Sequence, residues 1–388
     1  MLGLTMKRAM RGLGELALIE RIRSGWGHPG AGEAARGSSG GAHGVVLGIG
    51  DDCAILRPPR GHEVLVTTDF TLEGRHFRRD LHPPESVGHR ALARGLSDLA
   101  AMGARPLAAF LSLALPGEMM RTRPGRAWVR RFFAGLRGLA GRSGVELAGG
   151  DTAESPCGLV LADIVLVGSA PAGRALRRGA AHPGDLLYVT GELGGSAAEL
   201  ASIRLAGNPG GPSFPASRPQ TGWPILRGSI AKGGLPSPMP AFEGSPVPHP
   251  QLYPQPRLAV GLALLRRRLA TASIDLSDGL STDLAHLCRE SGVGAEVSAQ
   301  SLPIHPLARK SPGALQLAGA LQLALDGGED YELLFAASPA TRVPRRIAGV
   351  PITRIGALVS GRAITLIDST GRRLPLKVGG WEHFIKRH

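Results

Sequence analysis

Short apolar runs and amphipathic stretches alternate along both halves of the chain, and this alternation limits the possible folds most strongly. A short apolar run between turn residues is typical of a strand, whereas apolar residues at helical spacing predict an amphipathic helix. In the first half, strands are predicted at 45–49, 64–68, 108–115, 145–148 and 159–167, and long helices at 84–103 and 124–142. Irregular alternation of this kind predicts an α/β or α+β architecture.

The second half repeats the pattern, so we predict two domains, an N-terminal mixed-sheet domain of residues 1–170 and a C-terminal α/β domain of residues 171–388. Predicted strands lie at 186–190, 272–276, 331–337, 352–359 and 363–368, and helices at 194–205, 257–270 and from 280 onward. Segment 24–44 is rich in Gly, Ala and Ser, and segment 207–248 is dense in Gly and Pro with few charges. Such compositions cannot easily form a core, so we interpret both segments as inserts, the second of them disordered.

The formal net charge of +14 raises the question of nucleic-acid binding. However, the arginines are scattered, and aromatic residues make up only 4% and do not alternate with basic ones as a stacking platform requires. A positive field attracts small phosphates equally well. We therefore do not expect a nucleic-acid partner.

Charged, polar or Gly residues interrupt every apolar stretch before it reaches the roughly 18 residues of a membrane-spanning helix. The basic N-terminus lacks the apolar segment of a secretory signal. Cys53, Cys157 and Cys288 stand far apart with no CxxC pair, which is typical of a reduced chain without a structural zinc site. We expect a cytoplasmic protein.

Acidic residues number only 31, yet six groups of them lie at predicted turns, and most of these groups directly follow a predicted strand. The groups are Gly50-Asp51-Asp52, Thr67-Thr68-Asp69, Ser97-Asp98, Gly149-Gly150-Asp151, Asp275-Leu276-Ser277-Asp278-Gly279 and Gly328-Glu329-Asp330. A single Gly-Asp pair is an ordinary turn feature, but six groups point to a ligand site at sheet edges. Hard oxygen ligands without a matching set of His or Cys favour Mg²⁺, and several Mg²⁺ ions in one site indicate polyphosphate chemistry.

The chain has neither a GxxxxGK[ST] phosphate loop nor a protein-kinase Gly-rich loop, so a nucleotide must be bound in another way. Taken together, its motifs resemble the thiamine-monophosphate kinase family of the aminoimidazole-ribonucleotide-synthetase-like superfamily. The matching stretches are GELALIERI (14–22), GIGDDCAIL (48–56), TTDFTLEGRHF (67–77), GHRALARGLSDLAAMGARP (88–106), LSLALP (111–116), AGGDTAESP (148–156), LRRGAAHPGDLLYVTGELGGSAAEL (176–200), SIDLSDGLSTDL (273–284), GGEDYELLF (327–335) and GWEHF (380–384). Their common order covers nearly the whole chain outside the two inserts.

The resemblance implies a role for each matching position. The implied magnesium ligands are Asp52, Thr67, Thr68, Asp69, Asp98, Asp151, Asp275 and Asp278. The implied ATP contacts are Phe133, Gly150, Asp151, Arg177 and Ser277, and the implied thiamine-phosphate contacts are His76, Glu329 and Trp381. Arg178 remains an alternative to Arg177, and Asp330 an alternative to Glu329. Ser277 as a helix cap and Trp381 as a core anchor remain open as structural roles.

The resemblance also implies a reaction: transfer of a phosphoryl group from ATP to thiamine monophosphate, giving thiamine diphosphate. The acceptor phosphate is already largely ionised at neutral pH, so no general base is expected. Direct in-line transfer assisted by several Mg²⁺ ions, and a homodimer in which N-terminal sheets meet, belong to the same expectation. The alternatives are a related enzyme with another acceptor and a non-catalytic nucleotide-binding protein.

Overall fold

The computed structural model describes residues 15–25, 44–207, 249–310 and 317–380. Residues 26–43 and 208–248, which make up most of the two predicted inserts, lie outside the described residues, as does Trp381. No helix of the described residues is long and apolar enough to cross a membrane. The cytoplasmic location stays a prediction.

The N-terminal unit, defined here as residues up to Pro171, contains a four-stranded sheet packed against helices. Its elements are α1 (Glu15–Gly25), β1 (Val45–Leu47), β2 (Ile55–Leu56), β3 (His62–Leu72), α2 (Pro84–Ala101), β4 (Arg105–Leu115), α3 (Gly117–Arg121), α4 (Arg123–Ser143), β5 (Glu146–Glu154) and β6 (Leu161–Pro171). The strand order is β3-β6-β4-β5, and β4 and β5 are parallel whereas the other pairs are antiparallel. β1 and β2 form a separate hairpin-like pair.

Helices α2 and α4 cover one face of this sheet and bury its core. Pro84 begins α2, where a missing N–H costs nothing. The Thr122 hydroxyl accepts a hydrogen bond from Gly125 N at 3.2 Å and caps α4, which ends at Gly144 in the left-handed conformation (φ 64°). Leu92, Leu166 and their neighbours form the first core cluster between sheet and helices.

The C-terminal unit, the described residues from Leu186 onward, contains an eight-stranded sheet. Its elements are β7 (Leu186–Thr190), α5 (Gly195–Gly207), α6 (Leu258–Arg266), β8 (Ala272–Asp275), α7 (Leu280–Ser291), β9 (Gly294–Ser298), a 3₁₀ turn (Ala299–Ser301), α8 (Pro306–Lys310), α9 (Leu317–Asp326), β10 (Leu333–Ala337), β11 (Arg346–Ile347), β12 (Val350–Val359), β13 (Ile364–Ile367) and β14 (Arg373–Pro375). The strand order is β14-β13-β9-β12-β7-β10-β8, with β11 on β12.

Helix α2 also joins the two units. It packs against α6, where a Cβ on Gly261 would lie 1.9 Å from Ala100 O, so only glycine allows the two backbones to approach this closely. Leu264 and Phe335 lie with Ala100 in a core cluster between the units. Because the end of α2 is fixed to both units, side chains near it can meet residues of the C-terminal sheet.

The predicted mixed α/β architecture is confirmed, whereas the domain boundary at 170/171 stays a prediction. Two of the predicted turns are wrong. Asp69 lies within β3, and Gly149-Gly150-Asp151 continues β5, because antiparallel β6 pairs along the whole of β3 and parallel β4 pairs with β5 as far as Glu154. Strand β9 and helices α8 and α9 were not predicted.

Candidate functional site

Three aspartates among the predicted metal ligands meet where β3, α2 and β8 adjoin. Asp69, Asp98 and Asp275 interact electrostatically as like charges. The Thr67 hydroxyl donates a short hydrogen bond to Asp98, and Ser97 Oγ donates to Asp275 Oδ2 at 2.9 Å. We call these three aspartates, with Thr67, the carboxylate cluster.

Strand alternation decides which residues of the Thr67-Thr68-Asp69 motif enter the carboxylate cluster. Thr67 and Asp69 share one face of β3. Thr68 points to the opposite face, where its hydroxyl donates to Asp163 Oδ1 at 2.7 Å. The position of the Thr68 side chain therefore gives no support to its predicted role as a ligand.

Burial dominates the electrostatics of the carboxylate cluster. It raises the pKa of Asp69 to about 7, and repulsion from Asp98 adds to this rise while Arg94 opposes it. Burial and repulsion from Asp98 likewise raise the pKa of Asp275 to about 7. Asp283 on α7, with a pKa raised to about 8 by burial and by Asp275 and Asp278, extends the acidic region. Carboxylates in this environment need a cation when they ionise.

The carboxylate cluster has the donor chemistry of a magnesium site, since it offers carboxylate and hydroxyl oxygens. Within the described parts of the chain, however, no three His, Cys, Asp or Glu side chains converge as a ready-made metal cage. Asp52 and Asp151 are exposed and are not among the main groups that shift the pKa values of Asp69 and Asp275. An open set fits Mg²⁺, which keeps several waters and substrate phosphates among its ligands.

The turn after β8 packs on the GGEDYE segment. Ser277 O accepts a hydrogen bond from Glu329 N at 2.7 Å, and Asp283 Oδ2 accepts from the N–H groups of Asp278 and Gly279 at 3.1 Å. The N-cap of α7 is Gly279, so Ser277 does not cap this helix. The polar side chains of Ser277 and Asp278 are half-buried.

Glu329 is held by cations on the N-terminal side of the site. Arg90 Nη2 donates to both of its carboxylate oxygens at 2.8 Å, and Gln251 Nε2 donates at 3.1 Å. Burial opposes ionisation, but Arg90 and Arg94 outweigh it and hold the pKa of Glu329 at about 2. His76 also stabilises the charge, so the structure brings His76 near Glu329, and the contact of both with thiamine phosphate stays a prediction. We call this region the Glu329 pocket.

Asp330, the alternative to Glu329, has a structural partner. Its carboxylate accepts hydrogen bonds from Gly194 N at 2.8 Å and Ser196 N at 3.3 Å, and thereby holds the start of α5. Glu329 and Tyr331 adopt positive φ angles of 55° and 50°. Backbone strain of this kind is concentrated at functional sites, which favours Glu329 as the ligand-contacting residue.

Of the two candidate arginines, Arg178 lies closer to the acidic groups. Its positive charge lowers the pKa values of Asp275 and Asp283 against the effect of burial. For Arg177, the backbone carbonyl accepts a hydrogen bond from Ser273 N at 3.2 Å. The structure therefore favours Arg178 over Arg177 for a contact with a phosphate bound there.

The remaining predicted residues lie apart from the carboxylate cluster or outside the described residues. Phe133 is 5% exposed and packs edge-on against Phe132 in the first core cluster, so the core alone explains its position. Gly150 of β5, with φ 145°, packs against Leu111 O of β4, and the neighbouring Asp151 is exposed. The predicted roles of these residues and of Trp381 stay predictions.

Several residues of the site were missed from the sequence. They are Arg90, Arg94, Gln251, Asp283 and Tyr331. The spacing of Arg90, Arg94 and Asp98 in GHRALARGLSD was a usable signal, because residues four apart share one helix face. No sequence signal pointed to Gln251, because it follows the predicted insert.

Sequence comparisons relate this chain to known proteins. Residues 50–170 match the family described as AIR synthase related protein, N-terminal domain. The thiamine-monophosphate kinase of Escherichia coli (strain K12) is 36% identical over 344 residues, covering 88% of this chain and 92% of the relative.

Solved structures extend the likeness to the fold. The crystal structure of thiamine-monophosphate kinase from Stenotrophomonas maltophilia K279a is 32% identical with a TM-score of 0.66, covering 92% of this chain and 97% of that one. AaThiL complexed with AMPPCP and TMP is 25% identical with a TM-score of 0.63, covering 96% and 97%. Because the identity exceeds 30% over most of both chains, this chain belongs to the thiamine-monophosphate kinase family of enzymes.

Proposed function

We propose that this chain transfers the terminal phosphoryl group of ATP to thiamine monophosphate, giving thiamine diphosphate and ADP. The observation that carries the proposal is the meeting of the carboxylate cluster with the Glu329 pocket, which Arg94 connects. One side offers ligands for a metal–nucleotide complex, and the other offers His76 and Glu329 for the acceptor. The complex of AaThiL with AMPPCP and TMP supports both substrates.

The proposed reaction depends mainly on reducing the repulsion between the two phosphate groups. Two unit charges about 4 Å apart repel by roughly 4 kcal/mol at an effective dielectric constant near 20, and each phosphate carries more than one charge. Asp69, Asp98 and Asp275 would hold Mg²⁺, which offsets this repulsion and the charge that develops on the transferred group. Arg178 adds positive charge beside Asp275. We propose several Mg²⁺ ions and in-line transfer without a phosphoenzyme.

No general base is required because the acceptor oxygen is already ionised. The ionised Glu329 and its two arginines fix the pocket walls instead, and Glu329 offers a negative charge to the cationic thiazolium ring. His76 Nδ1 accepts a hydrogen bond from Leu72 N at 2.9 Å, which fixes the orientation of the ring beside Glu329. Binding and alignment are thus the tasks of these side chains.

The test measures thiamine diphosphate formed from ATP and thiamine monophosphate, with Mg²⁺ and with EDTA. We expect Mg²⁺-dependent product, its loss in Asp69→Asn, and normal turnover in Asp80→Asn, whose carboxylate pairs with Arg78 at the surface. Phosphorylation of a different acceptor with no thiamine diphosphate would refute the substrate assignment. Near-normal turnover of Asp69→Asn would remove Asp69 from the metal site.

We further propose that the enzyme is a homodimer joined through the outer face of the four-stranded sheet. Val64, Val66 and Phe70 alternate on that face of β3 and are 51%, 64% and 60% exposed. Neighbouring strands add the half-buried Phe110 and Val165. This exposed face is largely apolar and is interrupted by the hydrogen-bonded pair Thr68 and Asp163. Exposed apolar surface of this kind is typical of an interaction surface, and a second copy offers the same face.

A further inference from the structure

Arg94 lies where the two halves of the candidate site meet, and its two terminal nitrogens have different partners. Nη1 donates to Glu329 Oε1 at 3.3 Å and to Tyr331 Oη at 3.0 Å. Nη2 reaches Asp69 Oδ1 at 3.5 Å, close to the upper limit for a hydrogen bond. One guanidinium therefore spans the carboxylate cluster and the Glu329 pocket.

Arg90 and Arg94 lie on the same face of α2 but differ in exposure and in the carboxylates that they contact. Arg90 is 3% exposed in its side chain and contacts both oxygens of Glu329, so Glu329 keeps a cation without Arg94. The side chains of Arg94, Asp69 and Glu329 are 16%, 23% and 24% exposed. A ligand can therefore reach Arg94, and Asp69 depends on Arg94 for its ion pair.

We propose that Arg94 determines specificity for the acceptor phosphate: it neutralises Asp69 until Mg²⁺ binds, and then offers Nη2 to that phosphate while Nη1 stays on Glu329 and Tyr331. The identity of the acceptor rests on the proposed function. The contact of Arg94 with Asp69, at 3.5 Å, is weak enough that Asp69 would turn to a divalent cation bound beside it. The released donors suit phosphate oxygens, with which guanidinium groups form charge-assisted hydrogen bonds.

Two substitutions separate charge from geometry. Arg94→Met keeps the aliphatic stem and removes the charge, whereas Arg94→Lys keeps the charge and removes the fork of donors. In EDTA at an alkaline pH at which both carboxylates are ionised, Arg94→Met leaves Asp69 and Asp98 to repel each other, so its Tm falls and the rise in Tm on adding Mg²⁺ exceeds that of the wild type. Arg94→Lys restores the wild-type response. Arg131→Met, which breaks an ion pair with Glu85 at the surface, serves as the control.

Kinetics test the second half of the proposal. Loss of a charge-assisted contact raises the KM for thiamine monophosphate about tenfold or more in both Arg94 variants, while the KM for ATP stays within about twofold. An unchanged acceptor KM together with an unchanged Mg²⁺ response in Arg94→Met overturns the proposal. Equal rises in both KM values also overturn it, because they show general damage to the site.

A separate binding measurement keeps this inference distinguishable from the proposed function. If the wild type forms no thiamine diphosphate, the function fails, and titration calorimetry with inorganic phosphate and Mg²⁺ then judges Arg94. Weaker phosphate binding in Arg94→Lys but not in Arg131→Met sustains the inference, and equal binding in all three proteins overturns it. If Arg94→Met does not fold, Arg94→Lys carries both the kinetic and the binding test.

Discussion

Replacing Asp275 by Asn tests the electrostatics of the carboxylate cluster in isolation from turnover. Asp275 is 3% exposed, and burial together with Asp98 raises its pKa from 3.8 to about 7. A raised pKa means that the folded state holds the proton more tightly than the unfolded chain does. Without metal, the contribution of Asp275 to stability therefore falls as the pH rises from about 4 through about 7.

The size of the effect follows from the two pKa values. Between pH 5 and pH 8 the unfolded chain has already lost the proton, whereas the folded protein loses it near pH 7. This difference spans about 2 pH units at 1.36 kcal/mol each, so ionised Asp275 destabilises the fold by roughly 2–3 kcal/mol more at pH 8 than at pH 5. Asn cannot ionise, and its amide oxygen still accepts the hydrogen bond of Ser97.

Urea unfolding in EDTA at pH 5 and pH 8 measures the free energy of unfolding of both proteins. We expect Asp275→Asn to gain stability relative to the wild type by that amount on going from pH 5 to pH 8. Asp80→Asn, at an exposed ion pair, controls for the removal of a charge. A difference between Asp275→Asn and the wild type that is equal at both pH values, or that favours the variant more at pH 5, refutes the reasoning.

Two further predictions concern the scaffold. Arg257→Met leaves the Glu332 carboxylate, which is 5% exposed, without its cation. We expect the free energy of unfolding in urea to fall by about 3–5 kcal/mol. For Arg373→Met, which breaks an exposed ion pair, we expect a fall of at most about 1 kcal/mol. Equal losses in the two variants would contradict the buried-pair argument. Val66→Glu places a charge on the outer sheet face, and light scattering should then give the monomer mass where the wild type gives twice that mass. A wild type that is monomeric at micromolar concentration would rule out the proposed dimer.

The resemblance of the ordered motifs to the kinase family implied Asp69, Asp98 and Asp275 as metal ligands, and the structure places these three carboxylates close to one another. The helix bearing Asp98 could be located from apolar spacing, and Asp275 follows a short apolar run. Local spacing cannot show which face of a sheet a side chain points to when the register of its strand is unknown. Thr68 and Thr67 differ by one position, yet only Thr67 enters the carboxylate cluster.

Contacts between the N-terminal and C-terminal units could not be predicted from the sequence for a different reason. Arg94 and Glu329 are 235 residues apart, and no periodic pattern links them. The turns predicted at Asp69 and Gly149–Asp151 failed because pairing with long neighbouring strands overrides the local turn tendency of Gly and Asp.

Helix α2 explains why the site requires both units at once. Its last two turns supply Arg94, Ser97 and Asp98, and it packs on α4 in one unit and on α6 in the other. A sliding motion of α2 against the C-terminal sheet would break the hydrogen bond from Ser97 to Asp275 and the pairing of Arg90 with Glu329 together. Binding that needed such a motion would lose several charge-assisted contacts, so we expect α2 and β8 to keep their relative position when ligands bind.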